Sequence, residues 1–519
     1  MSSIYIIAIG GTGAKCVEAL THIAAAGILT NKSLKVLFVD PDEANGNLTR
    51  ARQTIKVYNK CYNLISKGRQ DVEQCPWMKT QIKLFKPDTW SPLNTDNVTL
   101  SSIFNYNNYQ TSDKLGHPLK NIFDTLYTPE EQELELNVGF RGRPAIGSVV
   151  MSQLNLTKKT LTEEPWQAFL QQVKEDIISS GTPEIFIYGS AFGGTGASGF
   201  PTIGRLISNK LEKEKIRQKI KLGGALLLPY FSFPPKPTSQ QDNLDESETQ
   251  EIYAQTENFL LNTSAALRYY QVQAKGSFDT IYLLGDQKLL QVNQKFSLGR
   301  GNQKNDPHFL ELYAALAVQH FSNHSPNERG EAVVISRETE NIITWKDLPL
   351  NKEIKPRLVN MTRFAFAWMT DINQNVEKAK EVNFKNFHKY APWSIHFFSH
   401  SRGRKNLPDF SEELENNMPT INQWCQTYLK WLGKLNSTTG SGTEVKLFNY
   451  TNWMNDKEEL SYHNDQFYNL VIDGSPKDSN DTVQELMINL SSKNLRTPNT
   501  GLVGLARALY IKCKNKRRS

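Results

Sequence analysis

The pentapeptide GGTGA occurs twice in this 519-residue chain, at residues 10–14 and 193–197. Gly10, Gly11, Thr12 and Gly13 carry the first copy, and Gly193, Gly194, Thr195 and Gly196 the second. Each copy directly follows a short apolar run, IYIIAI at 4–9 and EIFIYGS at 184–190, and each precedes residues at helical spacing. A strand that ends in glycines and opens a helix aims backbone N–H groups and the positive end of the helix dipole at one place, most often at phosphate. Thr12, Thr195 and Ser198 add hydroxyl donors. If the two strands are neighbours in a parallel sheet, both helix starts face the same edge, and the repeats become two walls of one phosphate pocket.

Other phosphate chemistries fit less well. A Walker loop needs Gly-Lys-Ser/Thr, whereas Ala14 separates Gly13 from Lys15 and Cys16 replaces the hydroxyl. The dinucleotide pattern GxGxxG is met by Gly194, Gly196 and Gly199. The first unit offers Gly11 and Gly13, with Asp40 placed for a ribose at the end of the second strand, but Cys16 holds its third glycine position. Asp40 and Asp42 flank Pro41 beside the expected phosphates, where their oxygens suit Mg²⁺ or simply shape the turn.

The elements that must hold these residues follow from periodicity. KVLFVD (35–40) closes one βαβ unit; EIFIYGS, the helix PTIGRLISNKLEKEK (201–215) and the strand KLGGALLLPYF (221–231) form a second. Residues 41–183 read as an elaborated insertion with a helix near 166–180, and 232–250 as an exposed loop. A helix over 251–272, the strand FDTIYLLG (278–285) and a helix near 307–322 continue the alternation. Two domains are expected: 1–340, carrying the glycine repeats, and 341–519, with Trp- and Phe-rich helices, an amphipathic terminal helix at 501–512 and a basic tail.

With 39% hydrophobic residues the chain can build packed cores, and no apolar run is long enough to span a bilayer, so a cytoplasmic location is expected. Lysine and arginine total 60 against 53 acids, a net charge of +7. Nucleic acid is not indicated beyond the basic tail KCKNKRRS (512–519). Five scattered cysteines without a CxxC pair indicate neither a disulfide framework nor a zinc site.

The motifs in this order resemble the tubulin/FtsZ superfamily, and in particular its divergent prokaryotic tubulin-like members. FGGTGASG (192–199) is similar to the family's phosphate loop, with Phe192 where a glycine is usual; IAIGGTGAK resembles the first glycine loop of FtsZ, which carries Lys15 into the site; GRPAIG resembles the third phosphate loop, bringing Gly142, Arg143 and Pro144. The resemblance implies an α/β fold with a Rossmann-type parallel sheet, helices on both faces, and a divergent, largely helical or α+β C-terminal region. It implies GTP or GDP as ligand, with Mg²⁺ at Asp42. Asp286 aligns with the family's guanine contact, or else caps the helix after it, and Phe309 is the candidate to stack on the base, or else belongs to the core. In the family, acids of the next subunit complete hydrolysis in an Asn-x-Asp-x-x-Asp motif. Residues 323–350 lack that motif but contain Glu331, Glu338, Glu340 and Asp347, of which Asp347 is the best placed.

The expected function is therefore that of a GTP-binding protein and GTPase that self-assembles head-to-tail into filaments or oligomers. A non-polymerising nucleotide sensor, acting on partner proteins through the C-terminal region, is the alternative. An NAD-dependent oxidoreductase using Asp40 is a third reading, disfavoured by two phosphate loops where it needs one.

Overall fold

A computed structural model describes residues 2–29, 32–66, 75–93, 98–106, 108, 116–154, 163–179, 181–233, 256–292, 301, 303–334, 341–381, 386–399, 407–437, 442–462, 467–492 and 500–514. Glu338, Glu340, the expected loop at 234–250 and the last five residues of the basic tail lie outside the described residues.

Seven parallel strands form the central sheet: β1 (Ser2–Ile9), β2 (Lys32–Val39), β3 (Gln81–Trp90), β4 (Glu184–Ser190), β5 (Lys221–Leu227), β7 (Thr280–Leu284) and β9 (Glu331–Val333). Two-residue strands β6 (Phe231–Ser232) and β8 (Leu290–Gln291) pair beside it. The sheet order is β3-β2-β1-β4-β5-β7-β9. From β1 the chain builds outward through β2 and β3, then returns to place β4 against the other side of β1, with Ile4 opposite Glu184 and Ala8 opposite Tyr188. The winding direction thus reverses between β1 and β4, the position at which open α/β sheets leave a crevice beyond their carboxyl ends.

Strands covered on both faces read as continuous apolar runs because neither side meets water. Every residue of β4 is buried accordingly. Along β1 the faces alternate: Ile4, Ile6 and Ala8 join one buried cluster, and Tyr5, Ile7 and Ile9 another. The first cluster is covered by α1 (Gly10–Ala25), α2 (Gly46–Ser66) and α7 (Phe309–Asn323). The second is covered by α4 (Trp166–Ile178), α5 (Gly194–Lys213) and α6 (Phe259–Gln273); the short α3 (Pro144–Ser152) lies against α5.

Two differences from the sequence reading have physical causes. The expected insertion at 41–183 supplies β3, whose sequence QIKLFKPDTW mixes charges and a proline with apolar residues, as an edge strand tolerates and a central one does not. The second helix starts at Gly194, so Pro201 lies inside it and not in its first turn. Proline has no N–H to give to the carbonyl four residues earlier. That carbonyl, on Ala197, instead accepts the Tyr270 hydroxyl at 2.7 Å.

After the two-residue strand β10 (Ile342–Ile343), which pairs with β11 (Glu444–Val445), the chain is largely helical: α8 (Asn351–Ala367), α9 (Phe410–Asn436) and α10 (Gly501–Lys512) are its main elements. The first buried cluster continues into these helices. Trp77 meets Phe364 at 4.4 Å between ring centroids, and His22 of α1 stacks on Trp431 of α9 at 4.5 Å. No described helix is long and apolar enough to cross a membrane.

Candidate functional site

The two glycine repeats are themselves the first turns of α1 and α5. Neither helix start has a side-chain cap, so the first-turn amides are left for an external acceptor. The turns also touch. A Cβ built on Gly10 would lie 3.5 Å from the Gly196 nitrogen and from Thr195 Cβ, and Gly10 has φ of +72°, which a side chain would strain. The later glycine of each copy lets its helix approach the strand it follows: a Cβ on Gly13 would be 2.9 Å from the Ala8 carbonyl carbon, and one on Gly196 would be 2.6 Å from the Ser190 nitrogen.

One cleft is formed where the turns meet. Gly10, Gly11, Thr12, Gly193, Gly194, Thr195 and Gly196 line it, together with Asp40 and Asp42 from the end of β2 and residues 138–142. Its outer wall is aromatic, made by Phe192, Phe231, Phe233 and Phe259. The cavity volume is about 100 Å³, below the roughly 300–1,000 Å³ of sites that hold a whole organic ligand. A second cavity of about 250 Å³ lies on the other side of Phe231, lined by Lys15, Tyr230, Asn305, His308 and Lys434 among others.

The chain is structurally similar to CetZ, a tubulin/FtsZ-family protein, at low sequence identity. The match to CetZ from Methanosaeta thermophila has 12% identity and a TM-score of 0.22, covering 55% of this chain and 47% of that one. A GTPγS-bound protofilament of CetZ2 from Haloferax volcanii matches with 11% identity and a TM-score of 0.26, covering 62% of this chain and 57% of that one. The matches span about half the length of those solved chains. No family model and no curated protein matches the sequence.

Within the cleft, Asp40 is buried and accepts the Asp42 backbone N–H at 3.0 Å. Burial pushes its carboxyl up to about 8; the Asp42 N–H and Arg52 oppose that rise and the Asp42 carboxylate adds to it. At neutral pH Asp40 is therefore largely uncharged, so the cleft carries less negative charge than its two carboxyl groups suggest. The Asp42 carboxylate, with the Asp40 carboxyl beside it, fits Mg²⁺, which is commonly held by one or two carboxylates plus substrate phosphates. Among the described residues no group of three or more His, Cys, Asp or Glu side chains could hold a metal by itself.

Of the third loop, Gly142 lines the cleft, next to residues 138–141. Gly139, Arg141 and Gly142 have φ of +89°, +45° and +70°, and all three line the cavity. Arg143 instead points to Glu131, with Nε 3.3 Å from Oε1, and Pro144 opens α3. Ser198 turns its hydroxyl back to the Gly194 carbonyl at 2.8 Å.

Lys15 lies one turn into α1 and is buried. Its Nζ is 2.5 Å from Glu311 Oε1, to which the Tyr230 hydroxyl also donates at 2.8 Å. Glu311 Oε2 accepts the His308 backbone N–H at 3.0 Å, which ties the first turn of α7 to α1. Phe309 is buried against His308 and Tyr313, and Asp286 accepts the Thr443 hydroxyl at 2.6 Å; neither lines either cavity. Asp347 sits after β10, accepting the Thr344 backbone N–H and hydroxyl, each at 2.7 Å.

Sequence reasoning missed a strap whose residues line both cavities. Residues 303–306, just before α7, run over the start of α2: Asn47 donates its N–H to the Gln303 carbonyl at 3.0 Å, Asn45 Nδ2 donates to Gln303 Oε1 at 2.7 Å, and Asn305 donates its N–H to Asn47 Oδ1 at 3.0 Å. Arg50 donates to the Asn305 carbonyl, and Lys434 of α9 pairs with Asp306 at 2.6 Å. The NGN tripeptide at 45–47 was the available signal, since Asn favours local hydrogen bonding to backbone.

Proposed function

We propose that this chain binds a guanine nucleotide, with its phosphates on the paired glycine turns and its base in the cavity beyond Phe231. The carrying observation is the contact of two uncapped helix starts, those of α1 and α5, around one small cleft. A phosphate chain matches the donors there, which are backbone N–H groups at two positive dipole ends and the hydroxyls of Thr12 and Thr195. Mg²⁺ would be held by Asp42, with Asp40 beside it, and would neutralise phosphate charge. In the second cavity, Asn305 Oδ1 is buried without a hydrogen-bond partner, an acceptor suited to the N1–H and N2–H of guanine.

GTP hydrolysis and head-to-tail self-assembly belong to the same reading, with Asp347 as the acid that one copy offers to the nucleotide of the next. One observation favours the sensor alternative: Lys434, Ser437 and Glu458 of the C-terminal region wall the second cavity, so occupancy there bears directly on that region.

Thermal melting with GTP, GDP, ATP and NAD, each with Mg²⁺, tests the reading. A ligand at a hundred times its Kd stabilises by about 2.7 kcal/mol. Guanine nucleotides are expected to raise the melting temperature, a rise with NAD alone would establish the oxidoreductase, and no response to any of them refutes nucleotide binding. Gly193→Asp is the discriminating variant. Gly193 is the N-cap of α5, where aspartate is a preferred residue, so the fold is retained while a carboxylate enters the cleft. Phosphate binding should weaken at least about tenfold, which corresponds to roughly 1.4 kcal/mol. Light scattering with GTP separates assembly from sensing, and Asp347→Ala should retain binding while slowing turnover.

A further inference from the structure

A cavity larger than the cleft and its neighbour lies at the opposite end of α1 from the glycine turns. It has a volume of about 700 Å³ and lies where five segments converge: the turn after α1 (Gly27, Ile28), Pro76, the last turns of α7 (Gln319), the first half of α8 (Glu353–Asn360), and Lys514 beyond α10. That volume falls within the range of sites that hold an organic molecule, and the setting is the junction of α1 and α7 with the C-terminal helices.

Its lining has two characters. Ile28, Pro76, Ile354, Pro356 and Val359 supply an apolar floor. Arg357 and Lys514 supply positive charge, opposed by the exposed Glu353 alone. The Arg357 guanidinium makes no hydrogen bond or ion pair among the described residues; its one interaction is electrostatic, with the Tyr510 phenol. Asn360 is buried, and its Oδ1 has no hydrogen-bond partner. A buried acceptor left unpaired is costly and calls for a donor, whereas the half-buried cation calls for an anion, so a guest that completes this cavity carries both.

We propose that this cavity is a binding site for a small amphiphilic organic anion, one with an apolar body against the Ile354 and Val359 floor, a carboxylate, sulfonate or phosphate ester on Arg357, and an N–H or O–H for the Asn360 oxygen. A simple inorganic anion would leave the apolar floor wet, and a neutral hydrophobe would leave Arg357 uncompensated. The site is independent of the nucleotide reading and stands or falls separately. It is nevertheless connected to the cleft mechanically: α1 runs from Gly10 at the cleft toward Gly27 at this cavity, and its 16 residues span about 24 Å at 1.5 Å each.

The test is a fluorescence titration of the full chain, without nucleotide, with 8-anilinonaphthalene-1-sulfonate, an apolar ring system carrying one anionic group and one N–H donor. Saturable binding with a stoichiometry near one is expected. Arg357→Glu reverses the charge at a half-exposed position and should weaken binding at least tenfold, with the melting temperature showing that the fold is kept. Gln319→Glu, on a different helix, places a second negative charge at the same cavity and should act in the same direction, which keeps the test decisive if the first variant fails to fold. Absence of saturable binding, or binding that the folded variants leave within twofold of the parent, overturns the proposal.

Discussion

Lys15 and Glu311 form an ion pair at 2.5 Å with both side chains almost wholly removed from water. Two charges in such a place are tolerable only together, because each one's lost hydration is compensated chiefly by the other. Lys15→Met should therefore destabilise the chain by roughly 3–5 kcal/mol, the usual cost of leaving a buried charge alone. The double variant Lys15→Met, Glu311→Leu should recover a large part of that loss. Urea denaturation of the parent, the two single variants Lys15→Met and Glu311→Leu, and the double variant measures the coupling; additive losses would show that the pair is not a unit.

Asp40 gives stability a specific pH dependence. Its native carboxyl stays protonated up to about 8, whereas an unfolded aspartate ionises near roughly 3.9. Between those values the native state holds a proton that the unfolded state has released, so this residue's contribution falls as pH rises from about 4 to 8. Asp40→Asn keeps the oxygen that accepts the Asp42 N–H and removes the titration. Its melting temperature, measured against the parent, should gain steadily from pH 5 to pH 8.5; a constant difference would mean that Asp40 is ionised throughout. Mg²⁺ binding at this pair should likewise release a proton and tighten as pH rises.

His22 acts in the opposite sense. It is fully buried among Trp424, Tyr428 and Trp431, and burial, assisted by the charge of Arg50, lowers its imidazole to about 3. The unfolded chain takes up a proton near about 6.5 and the native chain does not. Stability from this residue is complete above that value and declines as pH falls toward 3. His22→Leu should flatten the acid limb of a melting-temperature profile between pH 7 and 4, whatever its offset at neutral pH. An unchanged slope would place the acid sensitivity elsewhere.

The Tyr270 hydroxyl occupies the acceptor that Pro201 leaves unserved inside α5. Tyr270→Phe should cost about 1–3 kcal/mol, the usual penalty for an unsatisfied buried carbonyl. Adding Pro201→Ala returns a backbone N–H to Ala197 and should restore most of the loss, whereas Pro201→Ala alone gains little. Chemical denaturation of this set gives the answer, and failure of the rescue would mean that the hydroxyl matters for its packing only.

The sequence made the centre of this fold readable because two signals agreed there. Gly10 to Gly13 and Gly193 to Gly196 marked the helix starts, and the apolar runs before them marked strands buried on both faces, which left adjacent parallel strands as the natural arrangement. What escaped was whatever depended on distant partners. Nothing local announces that Lys15 will meet Glu311, that Ser198 will turn into its own helix, or that Asp286 will meet Thr443. β3 was hidden because an edge strand need not be apolar, and the strap at 303–306 because its hold lies in backbone bonds to Asn45 and Asn47. The C-terminal helices could be anticipated as helices, but their docking through rings such as Trp424 and Trp431 onto α1 could not.

The bonds from Asn45, Asn47, Arg50 and Lys434 to residues 303–306 set a clock as well as a shape. Gln303 lines the cleft and Lys304, Asn305 and Asp306 line the second cavity, so a guest that fills both should stay longer while this fastening is closed. Loosening one bond away from both linings, as with Asn47→Ala, should quicken arrival and escape together and change the equilibrium much less than either rate.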